Sequence, residues 1–128
     1  MNEDQLNELS RRIIGAAIEV HRELGPGLLE EAYKVALAFE LRSQMLKVDT
    51  EVSIPVSYKL IKLNVAYRAD IIVEDEIIVE LKSTDKDNPL YRKQLYTYLR
   101  LRGKRLGLLI NFNKELLIDG VTRVVNNL

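Results

Sequence analysis

Tyr67-Arg68-Ala69-Asp70-Ile71-Ile72-Val73-Glu74-Asp75-Glu76-Ile77-Ile78-Val79-Glu80-Leu81-Lys82-Ser83 is the stretch that decides the fold. Tyr67–Val73 and Ile77–Ser83 are rich in Ile and Val and alternate with period two, which predicts two strands joined by the tight acidic turn Glu74–Glu76. Ile71, Val73, Ile77, Val79 and Leu81 then share one apolar face, and Arg68, Asp70, Ile72, Ile78, Glu80 and Lys82 share the other. A three-residue loop centred on Asp75 sets positions 70 and 80 opposite each other, with Lys82 two residues further along the same face.

Two carboxylates facing across paired strands repel, at a cost of roughly a few tenths of a kcal/mol. A hard divalent cation, Mg²⁺ or Mn²⁺, compensates, because such ions take oxygen ligands and are held by one or two carboxylates together with substrate phosphate. Asp70 and Glu80 are therefore candidate metal ligands, and Lys82 beside them would orient an attacking water or neutralise charge building on a phosphate. The plainer alternative is the solvated face of an amphipathic hairpin, with Arg68 and Lys82 balancing the acids. Spacing alone does not separate the two.

Other segments widen the comparison. Gly27-Leu28-Leu29-Glu30-Glu31-Ala32-Tyr33, the preceding Ala17–Gly27, Tyr67-Arg68-Ala69-Asp70, Val79-Glu80-Leu81-Lys82, Gln94–Leu99 and Gly107–Asn113 occur in that order. Together they resemble the GxxExxY proteins, a group within the PD-(D/E)xK nuclease superfamily, over nearly the whole chain. The resemblance implies that Asp70 and Glu80 are metal-binding carboxylates, Lys82 the catalytic lysine, and Glu30 a helix-borne acid completing the metal site. It also implies that Gln94, with Tyr98 one turn later, corresponds to a Q-x-x-x-Y element beside the active site. Ser83-Thr84-Asp85 and Leu90-Tyr91-Arg92-Lys93 depart from the family pattern, which bears on substrate contacts more than on the metal site.

Composition bounds the class. The 128 residues, 47% hydrophobic and 30% charged, predict one globular domain over 1–128. No stretch approaches the ~20 apolar residues of a membrane span. The start Met1-Asn2-Glu3-Asp4-Gln5 lacks an apolar signal segment, so a cytoplasmic location is expected. Without cysteine there are no disulfides, zinc-thiolate sites or thiol nucleophiles. Nineteen basic residues balance nineteen acidic ones, so a global electrostatic footprint for nucleic acid is missing. Distribution answers this in part: Lys82–Arg105 carries eight basic residues, Arg92 and Lys93 among them, against only Asp85 and Asp87.

Periodicity places the remaining elements. A helix is predicted from Gln5 to about Glu23, with Leu6, Leu9, Ile13, Ile14, Ala17, Ile18 and His21 as its apolar stripe. Gly25-Pro26-Gly27 ends it, and a second helix runs from about Leu28 to Gln44, burying Leu29, Tyr33, Ala36, Leu37 and Leu41. Val48–Tyr58 and Leu63–Glu74 read as strands, with Pro55 marking an edge or bulge. Pro89 and Gly103 bracket a third helix, Arg105–Phe112 is an apolar strand, and a short β-like stretch follows near Gly120. The order ααβββαβ is that of an α/β (α+β) PD-(D/E)xK core, a mixed sheet flanked by helices.

His21, the only histidine, falls on the apolar stripe and reads as a packing residue, since metal-dependent hydrolysis has no need of it. Gln94 and Tyr98 lie on one face of the third helix. Tyr98 reads as core with a bonded hydroxyl, and Gln94 with Arg92 and Lys93 as substrate contacts. Tyr91, Tyr96 and Tyr98 among basic residues suit base stacking. No nucleophile elbow, P-loop or EF-hand is present. The expectation is a Mg²⁺- or Mn²⁺-dependent nuclease acting on DNA or RNA, gaining selectivity from a homodimer or a protein partner. The alternatives are a catalytically inactive nucleic-acid- or protein-binding module of the same fold, or a structural subunit.

Overall fold

The computed structural model describes residues 1–128 and begins with a helix fixed by its cap. The Asn2 carboxamide accepts from the Gln5 N–H and the Gln5 side chain accepts from the Asn2 N–H, a reciprocal capping box that starts α1, Glu3–Leu24. Gly25 and Gly27, with φ of 71° and 99°, turn the chain into α2, Glu30–Ser43. Strands β1 (Val48–Tyr58), β2 (Ile61–Val73) and β3 (Ile77–Lys82) follow as a meander. Helix α3 (Pro89–Arg102) then crosses to β4 (Leu106–Asn111), and a 3₁₀ turn at Leu117–Gly120 leads into β5, Val121–Val125.

The sheet order is β1-β2-β3-β4-β5, antiparallel except for the β3–β4 pair that α3 connects. The predicted α/β class, with a mixed sheet flanked by helices, is observed. The order ααβββαβ is extended by the 3₁₀ turn and β5, the short β-like stretch expected near Gly120. Helices α1 and α2 cover one face over the main core, which contains Ile71, Val73, Ile77, Val79 and Leu81 as anticipated. Helix α3 covers the other face over a smaller cluster that includes Ile72, Ile78, Leu95 and Tyr98.

The hairpin register is the expected one as far as Ile71 and Val79, but the expected direct pairing of Asp70 with Glu80 does not form. Ile71 pairs with Val79, Ile72 with Ile78 and Val73 with Ile77, symmetric about Asp75, and Glu74 and Asp75 take positive φ in the turn. Strict alternation fails one step beyond. Ala69 belongs to the α3-side cluster although Ile71, of the same parity, belongs to the α1/α2 side. Tyr67 likewise lies against Tyr98, with ring centroids 5.8 Å apart. The side-chain phase therefore slips by one at Asp70, level with Glu51, whose φ is 54°.

This slip corrects the predicted polar face. Arg68 does not share the side of Ile72 and Ile78. It pairs at 3.4 Å with Glu51, which also pairs with Lys34 of α2. Three smaller corrections concern the helices. Leu29 is 81% exposed because it caps α2 rather than lying within it, Ile18 is 44% exposed, and Ala16 and Val20 take its place against the core. Pro55 is on an edge strand next to an irregularity between Pro55 and Ser57, as expected. No helix is long and apolar enough to cross a membrane.

Candidate metal and phosphate site

Beyond the Ile71–Val79 pair, β2 and β3 part, and the side chains of Asp70 and Glu80 fill the opening. The Asp70 N–H donates to Glu80 Oε1 at 2.8 Å, and the Leu81 N–H donates to Asp70 Oδ2 at 2.8 Å. Each carboxylate thus takes the place of a main-chain carbonyl in the ladder. The second oxygens, Asp70 Oδ1 and Glu80 Oε2, are left free of protein hydrogen bonds.

The cost of this arrangement appears in the proton affinities. Burial, then the neighbouring Asp70 charge, pushes the Glu80 carboxyl up to about 8, against smaller opposing effects of the Asp70 N–H and Lys82. Burial also raises Asp70, with Glu30 adding to the rise and the Leu81 N–H, Lys34 and Lys82 opposing it. Tyr98, on the α3 side, is pushed up to about 12 by burial and then by Glu80, Asp70 and Tyr67. Near neutral pH Glu80 retains its proton, because burial and the adjacent Asp70 charge both disfavour its ionised form.

Glu30 approaches from the other side. It opens α2 and, with Glu31, Lys34 and Asp70, lines a cavity of about 130 Å³. The loop before it is tied down twice. The Tyr33 hydroxyl donates to the Gly25 carbonyl at 2.5 Å and accepts from the Leu28 N–H at 3.0 Å, while its ring stacks on Phe112 at 4.4 Å. The Ser83 hydroxyl, one residue after Lys82, donates to the Leu28 carbonyl at 2.5 Å. These bonds give the spacing from Gly27 through Glu30 to Tyr33 a physical sense: the tyrosine clamps the loop that delivers the glutamate.

Lys82 emerges in the same region, with its ammonium 4.3 Å from the centre of the Tyr91 ring. Gln94 is half-buried on α3 and makes no protein hydrogen bond; Tyr98, one turn later, is 4% exposed. Its hydroxyl finds no protein partner, which corrects the expectation of a bonded phenol. Arg92 and Lys93 are exposed on the flank of α3 facing β5, away from the carboxylate pair. His21 is a packing residue, with Nε2 2.8 Å from the Lys114 carbonyl and its ring near Phe112.

Three residues near the site escaped sequence reasoning. Lys34 is only 8% exposed and pairs with Glu31 at 2.7 Å and with Glu51. Its signal was its place one turn after Glu30 on the same helix face. Asn111 is buried opposite Lys82 in the β3–β4 register; it accepts from the Thr84 and Asn113 N–H groups and donates to the Thr84 carbonyl, so it organises the loop after Lys82. Ser83 stood in a segment set aside as departing from the family pattern.

A sequence model of the PD-(D/E)XK nuclease superfamily matches residues 7–124. The chain belongs to that superfamily, whose members are nucleases that generally use divalent metal ions. Comparison with curated proteins and with solved structures returns no match.

The donor set can be tested against such an ion. Asp70 and Glu80 offer oxygen only, in contact across one gap, with one free oxygen each and their ionised forms disfavoured by burial and mutual repulsion. That is what a small hard cation relieves. No group of three or more acidic or histidine side chains is gathered closely enough to hold an ion by itself. The pair therefore fits a cation that draws its remaining ligands from water and substrate phosphate.

Proposed function

We propose that this protein is a metal-dependent nuclease of the GxxExxY type, hydrolysing phosphodiester bonds of DNA or RNA with the gap between β2 and β3 as its active site. The observation that supports this most directly is the reciprocal carboxylate-to-amide bonding of Asp70 and Glu80, which opens the sheet and leaves an oxygen-only pair facing the opening. Asp70 and Glu80 would hold Mg²⁺ or Mn²⁺, with Glu30 bearing on the ion from α2. The ion would supply positive charge and Lewis acidity at the scissile phosphate.

The chain's own residues supply the rest. With Mg²⁺ or Mn²⁺ held there, Glu80 would give up its proton and the pair would present two full carboxylates. Lys82, two residues beyond Glu80, leaves the Tyr91 ring for the phosphate and neutralises charge as the attacking oxygen adds. Gln94 has an unused carboxamide on the α3 flank and positions substrate, while the Tyr98 ring closes the site from below and excludes water. Arg92 and Lys93 hold substrate phosphates outside the gap.

The rival is a catalytically inactive nucleic-acid- or protein-binding module of the same fold, and the lack of a ready three-carboxylate group favours it. Cleavage of labelled single- and double-stranded DNA and RNA in Mg²⁺ or Mn²⁺ decides between them. Wild-type cleavage that disappears in Asp70→Asn and Glu80→Gln supports the enzyme. Cleavage that survives both substitutions belongs to a contaminant, and metal-dependent binding without cleavage supports the inactive module.

A further inference from the structure

Helix α3 carries a cationic surface that lies outside the carboxylate gap. Between α3 and β5 runs a groove of about 920 Å³, lined by Arg92, Lys93, Tyr96 and Arg100 along the helix and floored by Val124 and Val125. No acidic residue lines it, and none of its three cations is in an ion pair. Beyond Arg100 the basic run is already engaged: Arg102 and Lys104 lie 3.7 and 3.6 Å from Asp75, and Arg105 donates to the Met1 carbonyl. Between Pro89 and Arg105, the cations left without a partner are thus the ones collected in this groove.

The groove is continuous with the neighbourhood of Lys82. Pro89 and Arg92 also border a second depression of about 340 Å³, which holds Lys82, Tyr91 and Thr122. The one acid there, Asp87, is occupied by Lys114 at 3.3 Å and by Asn111 Nδ2 at 3.4 Å. Two aromatic rings mark the track, each beside a cation. Tyr91 has the Lys82 ammonium 4.3 Å from its centre, and Tyr96, 41% exposed, has the Arg100 guanidinium at 5.8 Å. From Pro89 to Arg100 the helix spans about 17 Å at its usual rise.

We propose that this track binds single-stranded nucleic acid and leads it to Lys82 and the carboxylate pair. Cations alone would serve any polyanion. The tyrosines select for unstacked bases, because a duplex keeps its base faces covered by their neighbours and offers no ring to Tyr91 or Tyr96. The direction of travel toward the gap rests on the nuclease reading above, whereas binding along α3 stands on the groove itself.

The test is anisotropy of labelled oligothymidylate, oligouridylate and a matched duplex on the full chain in EDTA, over a range of salt. Replacing the three cations, as Arg92→Gln with Lys93→Gln and Arg100→Gln, should lower the slope of log affinity against log salt by about 2 for a single strand. Tyr96→Leu, which keeps the site apolar, should weaken single-strand binding roughly tenfold with little change in salt slope. All four positions are on the surface, and the two variants fail independently if either disturbs folding.

The DNA and RNA arms show which sugar the track prefers. Unchanged affinity and slope in the triple variant, with wild-type cleavage still present in Mg²⁺, overturns the groove and leaves the nuclease reading intact. Duplex or polyglutamate bound as tightly as the single strand overturns the single-strand assignment. Absence of any binding overturns it too. Groove-dependent binding without cleavage of any substrate supports the track and removes the nuclease.

Discussion

Replacing Glu80 with Gln should stabilise the metal-free protein at alkaline pH, because the wild-type carboxyl is held at about 8 rather than the ordinary 4.5. Burial sets that value first, then the Asp70 charge on β2, with Glu30 on α2 adding to the rise and the Asp70 N–H and Lys82 on β3 opposing it. The folded chain keeps the Glu80 proton over a range where the unfolded chain has lost it. Folded stability therefore falls as pH rises from about 4.5 to about 8 and levels beyond. At ~1.4 kcal/mol per pH unit the loss has an upper bound on the order of 5 kcal/mol, reduced by whatever relaxation or water entry the gap permits.

Glu80→Gln removes the titration while its carbonyl still accepts the Asp70 N–H. Urea unfolding in EDTA from pH 4 to 9 should show the wild type losing a few kcal/mol and the variant staying nearly flat, with the two curves meeting near the acid end. Residual slope in the variant is assigned to Asp70, whose carboxyl is raised in the same direction. Adding Mg²⁺ at about a hundred times its dissociation constant should restore roughly 2.7 kcal/mol to the wild type above pH 8 and little to the variant. A wild-type curve without pH dependence, or a variant no more stable than wild type at pH 9, would refute the claim that burial strains this pair.

Three further outcomes are expected. Lys82→Ala should lower cleavage by roughly a hundredfold or more while leaving affinity in Ca²⁺ within a few-fold, since only contacts stronger in the transition state accelerate chemistry; equal losses in both would make Lys82 a binding residue. Tyr33→Phe keeps the stack on Phe112 but removes two hydrogen bonds, so urea unfolding should report a loss of about 1–3 kcal/mol, and metal affinity should drop in it and in Glu30→Gln alike. Gly120→Ala drives a methyl group into the Asn111 carbonyl and should destabilise by about 2 kcal/mol or more, read as a lower urea midpoint at unchanged slope.

The fold was legible wherever pattern and turn chemistry agreed. Two β-rich runs around an acidic turn gave the hairpin register, and Pro89 and Gly103 marked α3 because a ring-fixed φ suits a helix start and a left-handed φ its end. The apolar face of β2 and β3 also followed from alternation. Alternation failed at Asp70 because the phase slip comes from positive φ at Glu51 on the partner strand, which no period-two reading of β2 contains. Leu29 was misplaced for a related reason. Its apolar side chain fits a helical stripe, but it precedes the helix and serves as its cap. Lys34 and Asn111 were passed over because charge and amide side chains read as surface, and their burial follows from partners on other elements, Glu51 and the loop after Lys82.

The slip at Asp70 also accounts for where the candidate site lies. With regular alternation, β2 and β3 would pair through residues 70 and 80, and both carboxylates would stand on the face of Ile72 and Ile78, against α3. Shifted phase sends Arg68 toward Glu51 and α2, and Tyr67 and Ala69 toward α3. Asp70 is left in the plane of the sheet, where main-chain N–H groups of both strands need acceptors. The carboxylates meet that need and in doing so are buried together. Lys34, Glu31 and Glu51 link α2 to the slipped edge, and Tyr33 and Ser83 link the loop before α2 to the end of β3. The same local irregularity that breaks the sheet therefore buries Glu80 beside Asp70 and leaves Asp70 lining the small cavity that Glu30 borders from α2. Straightening it, by restoring ordinary φ at Glu51, would close the opening even with every proposed catalytic residue in place.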